Sequence, residues 1–171
     1  MPYKRKGHRP EAAIYSNLEK NPRLRPECKQ TPPESDRLFK VQGCATVCAI
    51  EPSNLVPRHH RTKDEDNVAI YNGLIASADQ LMKSASVRDR LAAEKDILYL
   101  EIEAAGLMNH LPCLVIRGIR DYSDTHKNKE WHGYAAVAAA AYAKDLLCRI
   151  APNRVKGEKK IGDVLSCNSK S

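Results

Sequence analysis

Four carboxylates follow two short apolar runs. Glu101 and Glu103 come after Ile97–Leu100, and Asp121 and Asp124 come after Leu114–Ile119. Short continuous runs of Leu, Ile and Val read as strands of a parallel sheet with both faces buried. In open parallel sheets ligands bind beyond the carboxyl ends of the strands, so acidic side chains at both neighbouring ends point to a site. Ionised, such a group accepts hydrogen bonds through two oxygens and favours developing positive charge. Raised in pKa by burial, it can instead deliver a proton. A second constellation, Cys44, Cys48, His59 and His60, supplies four zinc-type ligands. Its Cys-x-x-x-Cys spacing followed by adjacent histidines does not suit a structural zinc site, so the cysteines read as ordinary half-buried thiols and no metal is expected.

The elements that must position the carboxylates follow from the surrounding text. Ala104–His110 suits a helix, and Pro112 stops it and starts the next strand, giving a strand-helix-strand unit. Upstream, Val68–Ala76 reads as a strand, with Ser77 as N-cap and Gln80 as its capping-box partner for a helix over Ala78–Ala93. Ser84–Glu94 within it reads as scaffold, with Val87 and Leu91 on one side. Glu130–Ile150 is the longest helical signal, Ala-rich and almost free of breakers, and Pro152 ends it. The expected architecture is α/β: a mainly parallel central sheet of Val68–Ala76, Ile97–Ile102 and Leu114–Ile119, flanked by helices, with Glu130–Ile150 on one face.

Composition bounds the rest. A chain of 171 residues with 42% hydrophobic content is of one-domain size and can bury a core. Its net charge of +7 favours anionic partners only in a general way. No apolar run follows Met1, and nothing approaches a membrane span, so neither a signal peptide nor a membrane partner is expected. Six cysteines are too few for a disulfide scaffold and read as reduced thiols. A cytoplasmic location follows, with Lys4-Arg5-Lys6 leaving a nuclear one open. Residues 1–35 read as a basic, Pro-rich mobile arm, 36–152 as the domain and 153–171 as a disordered basic tail. Met1–Lys40 and Asn153–Ser171 are both expected to contribute little to the core. A short helix over Pro10–Lys20, with Ala12, Ala13, Ile14 and Leu18 as its apolar side, is the exception to the arm's irregularity. Nucleic acid is not an expected partner, because no aromatic platform accompanies the basic clusters.

The segments Leu-Glu-Ile-Glu-Ala-Ala-Gly-Leu (100–107) and Val-Ile-Arg-Gly-Ile-Arg-Asp-Tyr-Ser-Asp (115–124) resemble the purine nucleoside phosphorylase and nucleosidase superfamily, its fungal branch above all. Thr125–Trp131 continues the likeness, which runs from about Asp36 to Ile150 and matches the C-terminal half of that family's domain. The resemblance implies a purine nucleoside ligand and cleavage of its N-glycosidic bond, by water or by phosphate as co-substrate, with no other cofactor. It implies that Glu103 accepts from the ribose hydroxyls, that Ile102 packs on the ribose, that Leu81 and Met82 lie against the base, and that Asp121 protonates or hydrogen-bonds the purine N7. Glu101 is a weaker candidate for the same site.

Two departures stand out. Ala78 replaces a usual glycine, and Arg120 replaces a small residue before Asp121. Were the strand to bend there, the guanidinium would hold Asp121 ionised. The eight glycines form no rich loop after an early strand, so the family's nucleophile-side half is not recognisable and the domain is expected to be truncated at its N-terminus. The expected function is purine nucleoside binding with weak or absent cleavage. The alternative is a non-catalytic sensing or scaffold module of a fungal multidomain protein, with a homo-oligomer or a fusion to NTPase or repeat domains as in relatives.

Overall fold

Ile14 and Leu18, four residues apart, fall on one helix face, and that face makes the core. In the computed structural model, helix α1 (Pro10–Lys20) buries both against Tyr134 and Ala141 of the long helix α5 (Trp131–Cys148). The structure describes residues 3–4, 10–40, 52–59, 68–80, 82–108, 113–158 and 160. The expectation that Met1–Lys40 adds little to the core is therefore corrected. At 2% exposure Ile14 is the most deeply buried large side chain among the described residues. A four-residue spacing inside a Pro-rich arm was enough, because α5 supplies Tyr134 and small alanines for it to pack against.

Four further contacts tie the same arm down. The short helix α2 (Arg25–Cys28) crosses α5 at Gly133, where a Cβ would overlap the Glu27 carbonyl. Further on, Tyr122 donates to Asp36 at 2.6 Å, Asn128 donates to the Ser35 carbonyl at 3.1 Å, and the Phe39 ring stacks on His126 at 3.9 Å. Burial first, then the Asp36 partner, pushes the Tyr122 phenol up to about 12.

The fold class is α/β, with a small parallel sheet flanked by helices. Strand β1 (Tyr3–Lys4) pairs antiparallel with β2 (Tyr71–Asn72), and β3 (Leu74–Ser77) pairs parallel with β4 (Ile97–Glu101). Helix α3 (Ala85–Lys95) makes the crossover between β3 and β4, as a parallel pair requires. The strand expected over Val68–Ala76 is broken at Gly73, where a Cβ would come within 2.6 Å of the Leu98 side chain.

The third strand expected over Leu114–Ile119 does not form; that segment is irregular, with Leu114 73% and Ile119 50% exposed. The apolar run describes residue type, but a strand also needs a ladder partner. Here Gly118 instead brings the backbone against α5, where a Cβ would overlap the Ala135 carbonyl.

Helix starts also moved. Ser77 does not cap a helix over Ala78–Ala93. The helix begins at Ala85 behind Ser84, whose hydroxyl accepts from the Val87 amide at 3.4 Å. Ala78 carries no left-handed strain, since the non-glycine residues with positive φ are Asp96 and Ser123 among those described. Helix α4 (Ala104–Met108) takes the expected position, with residues 109–112 outside the described chain. Past α5, Pro152 opens a short exposed helix α6 (Pro152–Gly157) at the position favoured for proline, so the tail is structured to that point. No helix among the described residues is long and apolar enough to cross a membrane.

Candidate functional site

The parallel register sets Ser77 beside Glu101 at the carboxyl ends of β3 and β4. Together they cap α4: the Ala105 amide donates to the Ser77 hydroxyl at 3.0 Å, and the Glu103 and Ala104 amides donate to the Glu101 carboxylate at 2.8 and 2.9 Å. Burial alone would push the Glu101 carboxyl up. The Ser77 hydroxyl, these amides and the Glu103 side chain outweigh it and hold the group below its usual value. Both Glu101 oxygens thus serve the chain's own amides, which suits positioning better than ligand contact.

The cap turns the chain so that Ile102 and Glu103 open outward. A cleft of about 630 Å³ lies there, lined by the 78–82 segment after β3, the end of β4, the 116–123 segment and the first turns of α5. Glu101, Ile102, Glu103, Met82 and Asp121 all line it. Leu81 lies outside the described residues, as do Cys44, Cys48 and His60 of the zinc alternative. No cluster of three or more His, Cys, Asp or Glu suited to a metal ion occurs among the described residues.

Glu103 is 59% exposed on its side chain and pairs with Arg117 at 3.1 Å. Arg117 also lies 6.0 Å above the Tyr99 ring. Asp121 differs in kind, with a side chain only 7% exposed. Its Oδ1 accepts from Lys127 Nζ at 2.8 Å and from the Ser123 amide at 2.9 Å, and its Oδ2 lies 3.5 Å from Arg120 Nε. Burial would raise this carboxyl, but the Lys127 hydrogen bond, the Ser123 amide and the two cations outweigh it, and its pKa is lowered. The chain bends after Ile119, and Arg120 turns toward Asp121. A carboxyl that delivers a proton is one raised in pKa, whereas here Lys127, the Ser123 amide and Arg120 favour the ionised form of Asp121.

No protein-family profile matches the chain, and no solved structure does. It is similar to a nucleotide-binding leucine-rich repeat (NLR)-like protein of Hyaloscypha variabilis, with 46% identity over 123 residues. That alignment covers 72% of this chain and 12% of the fungal protein. It is also similar to the ATP nucleosidase Cap17 of Escherichia coli, with 30% identity over 86 residues, 47% of this chain and 17% of that protein. The chain thus spans a small part of the length of either relative. The second likeness covers just under half of the chain.

The structure adds cleft residues that pattern reading passed over: Arg117, Lys127 and His132. Arg117 carried a usable signal, a cation inside an otherwise apolar run. Lys127 and His132 carried none, because only the turn at Asp121–Ser123 and the start of α5 bring them back. Asp124, the fourth carboxylate, points away from the cleft. It is buried, accepts from the His126 amide at 2.8 Å and lies 3.7 Å from Arg88, and it lines a smaller space of about 170 Å³ beside Ser84.

Proposed function

We propose that this chain is a purine nucleoside-binding module related to enzymes that cleave the N-glycosidic bond, weak or inactive in cleavage as it stands. The observation that carries the reading is the convergence on one cleft of Met82, Ile102, Glu103 and Asp121, drawn from three separate stretches of sequence. Glu103, exposed although its Oε2 is paired with Arg117, offers a carboxylate suited to the cis-diol of a ribose. Ile102 and Met82 supply apolar surface for sugar and base. The likeness to an ATP nucleosidase supports the same class of ligand.

Weak cleavage follows from two features. The sequence has no glycine-rich loop to orient water or phosphate, and losing such positioning forfeits roughly 7–11 kcal/mol of barrier lowering. Asp121, held ionised by Lys127 and Arg120, is a poor acid for the departing base.

A second reading, a non-catalytic sensing or scaffold module within a multidomain fungal protein, is favoured by the likeness to one-eighth or so of an NLR-like protein. Adenosine, inosine, guanosine and ATP are to be titrated into the 171-residue chain by calorimetry, with products followed with and without phosphate. The proposal expects saturable purine binding, weakened about tenfold by Glu103→Gln, as the loss of a charge-assisted hydrogen bond implies. Turnover in the parent that Glu103→Gln and Asp121→Asn both abolish would make it an enzyme in its own right. Saturable binding without turnover supports the first reading, and no binding at all removes it and leaves the scaffold module.

A further inference from the structure

An ionised Asp121 leaves the purine N7, an acceptor, without its expected donor. We propose that His132 supplies it, a role that rests on the purine reading above. His132 stands in the first turn of α5, lines the cleft, and places its Nδ1 3.0 Å from Nη1 of Arg120. A guanidinium has donors only and does not give up its proton. Nδ1 must therefore accept, which fixes the ring hydrogen on Nε2 and makes that nitrogen a donor. Arg120 thus does two things at once. Its Nε lies beside Asp121 and keeps the carboxylate charged, and its Nη1 sets the imidazole tautomer.

The ring stands in the first turn of α5, where unsatisfied amides also carry partial positive charge. An imidazole with its hydrogen on Nε2 donates to an acceptor atom on which charge develops. Two cationic donors at the cleft, Arg117 and Lys127, are engaged with Glu103 and Asp121 at 3.1 and 2.8 Å. His132 recognises N7 and stabilises charge appearing on the base, without a full proton transfer.

The test compares adenosine with 7-deazaadenosine, in which N7 is replaced by C–H, by calorimetry on the parent chain, His132→Leu and His132→Gln. The parent should bind adenosine about fivefold tighter than the deaza compound, one ordinary hydrogen bond. His132→Leu should bind both with the affinity the parent shows for the deaza compound. His132→Gln, which keeps an N–H donor, should restore part of the preference and also controls for folding. Discrimination that survives His132→Leu, or a parent that binds both compounds equally, overturns the role of His132 while leaving the purine reading intact. A parent that binds neither compound removes both.

Discussion

The face where α1 meets α5 and the face where β4 meets the 113–124 segment are built from similar residue types to opposite ends. On the first, Ile14, Leu18, Tyr134 and Ala141 are closed off from water. On the second, Ile102 stays largely exposed at a cleft rich in charge, and Leu114 and Ile119 are exposed in the adjoining segment. Apolar burial contributes roughly 25 cal/mol per Å², so the helical face carries the larger share of the stability, and the strand-end face is left open as a cleft. A cleft that must admit a ligand cannot also be filled by its own side chains.

That division is easiest to break by trimming each face in turn. Ile14→Ala should lower the unfolding free energy by about 3 kcal/mol, the cost of removing a fully buried aliphatic side chain that leaves a cavity. Leu114→Ala, at 73% exposure, should stay within about 0.5 kcal/mol. Urea midpoints at constant slope measure both. Equal losses would show that the helical face holds no special share of the stability.

Gly118→Ala joins the two faces and should come next. The added Cβ would overlap the Ala135 carbonyl of α5, and backbone, unlike a side-chain tip, cannot swing aside. A loss of about 2 kcal/mol is expected from such overpacking. Because Arg120 and Asp121 follow directly, purine affinity should fall with it. A Gly118→Ala protein of parental stability would mean that the segment is free of α5.

Much of this division was legible in the sequence, and the misses share a cause. The crossover helix, β4, α4 and the long α5 were readable from apolar spacing and breakers, since those signals are local. Leu114–Ile119 read as a buried strand because its composition is that of one, yet pairing depends on a neighbour that composition does not name. Ser77 read as the cap of the helix that follows it in the chain. It caps α4 instead, 28 residues away, because the parallel register sets it beside Glu101. The four carboxylates were visible as a group, but not their division of labour: Glu101 holds amides, Glu103 faces solvent, Asp121 pairs with cations and Asp124 lies on another side. Arg120 was legible as a departure, and its bend toward Asp121 gives that departure its effect.

Acid sensitivity should belong to the cleft face. Asp121 and Glu101 both have folded-state pKa values lowered below the usual carboxylate range. A lowered carboxyl contributes stability that is fully present above its unfolded pKa and is lost as pH falls through the folded value. Stability should therefore decline as pH drops below the ordinary range of Asp and Glu, near 4. Asp121→Asn should flatten that acid limb, whereas Ile14→Ala should lower the whole curve and keep its slope. An unchanged acid limb in Asp121→Asn would detach the carboxylate from stability altogether.

The smallest expected effects come from two serines, and they separate the cleft from its surroundings. Ser84 caps α3 through a long bond of 3.4 Å to the Val87 amide and lines the smaller space beside Asp124. Ser77 caps α4 at 3.0 Å and also holds the Glu101 carboxylate, which in turn orients Ile102 and Glu103. Removing a serine cap costs about 1 kcal/mol, and the longer bond places Ser84→Ala toward the lower end of that range. Ser77→Ala should cost somewhat more, because a buried carboxylate loses one of its donors. The two should then diverge in function. Ser84→Ala should leave adenosine affinity at the parental value, while Ser77→Ala should weaken it severalfold by loosening the turn that presents Glu103. Equal affinities in the two variants would show that the α4 cap is scaffold only, with Glu103 held by Arg117 alone.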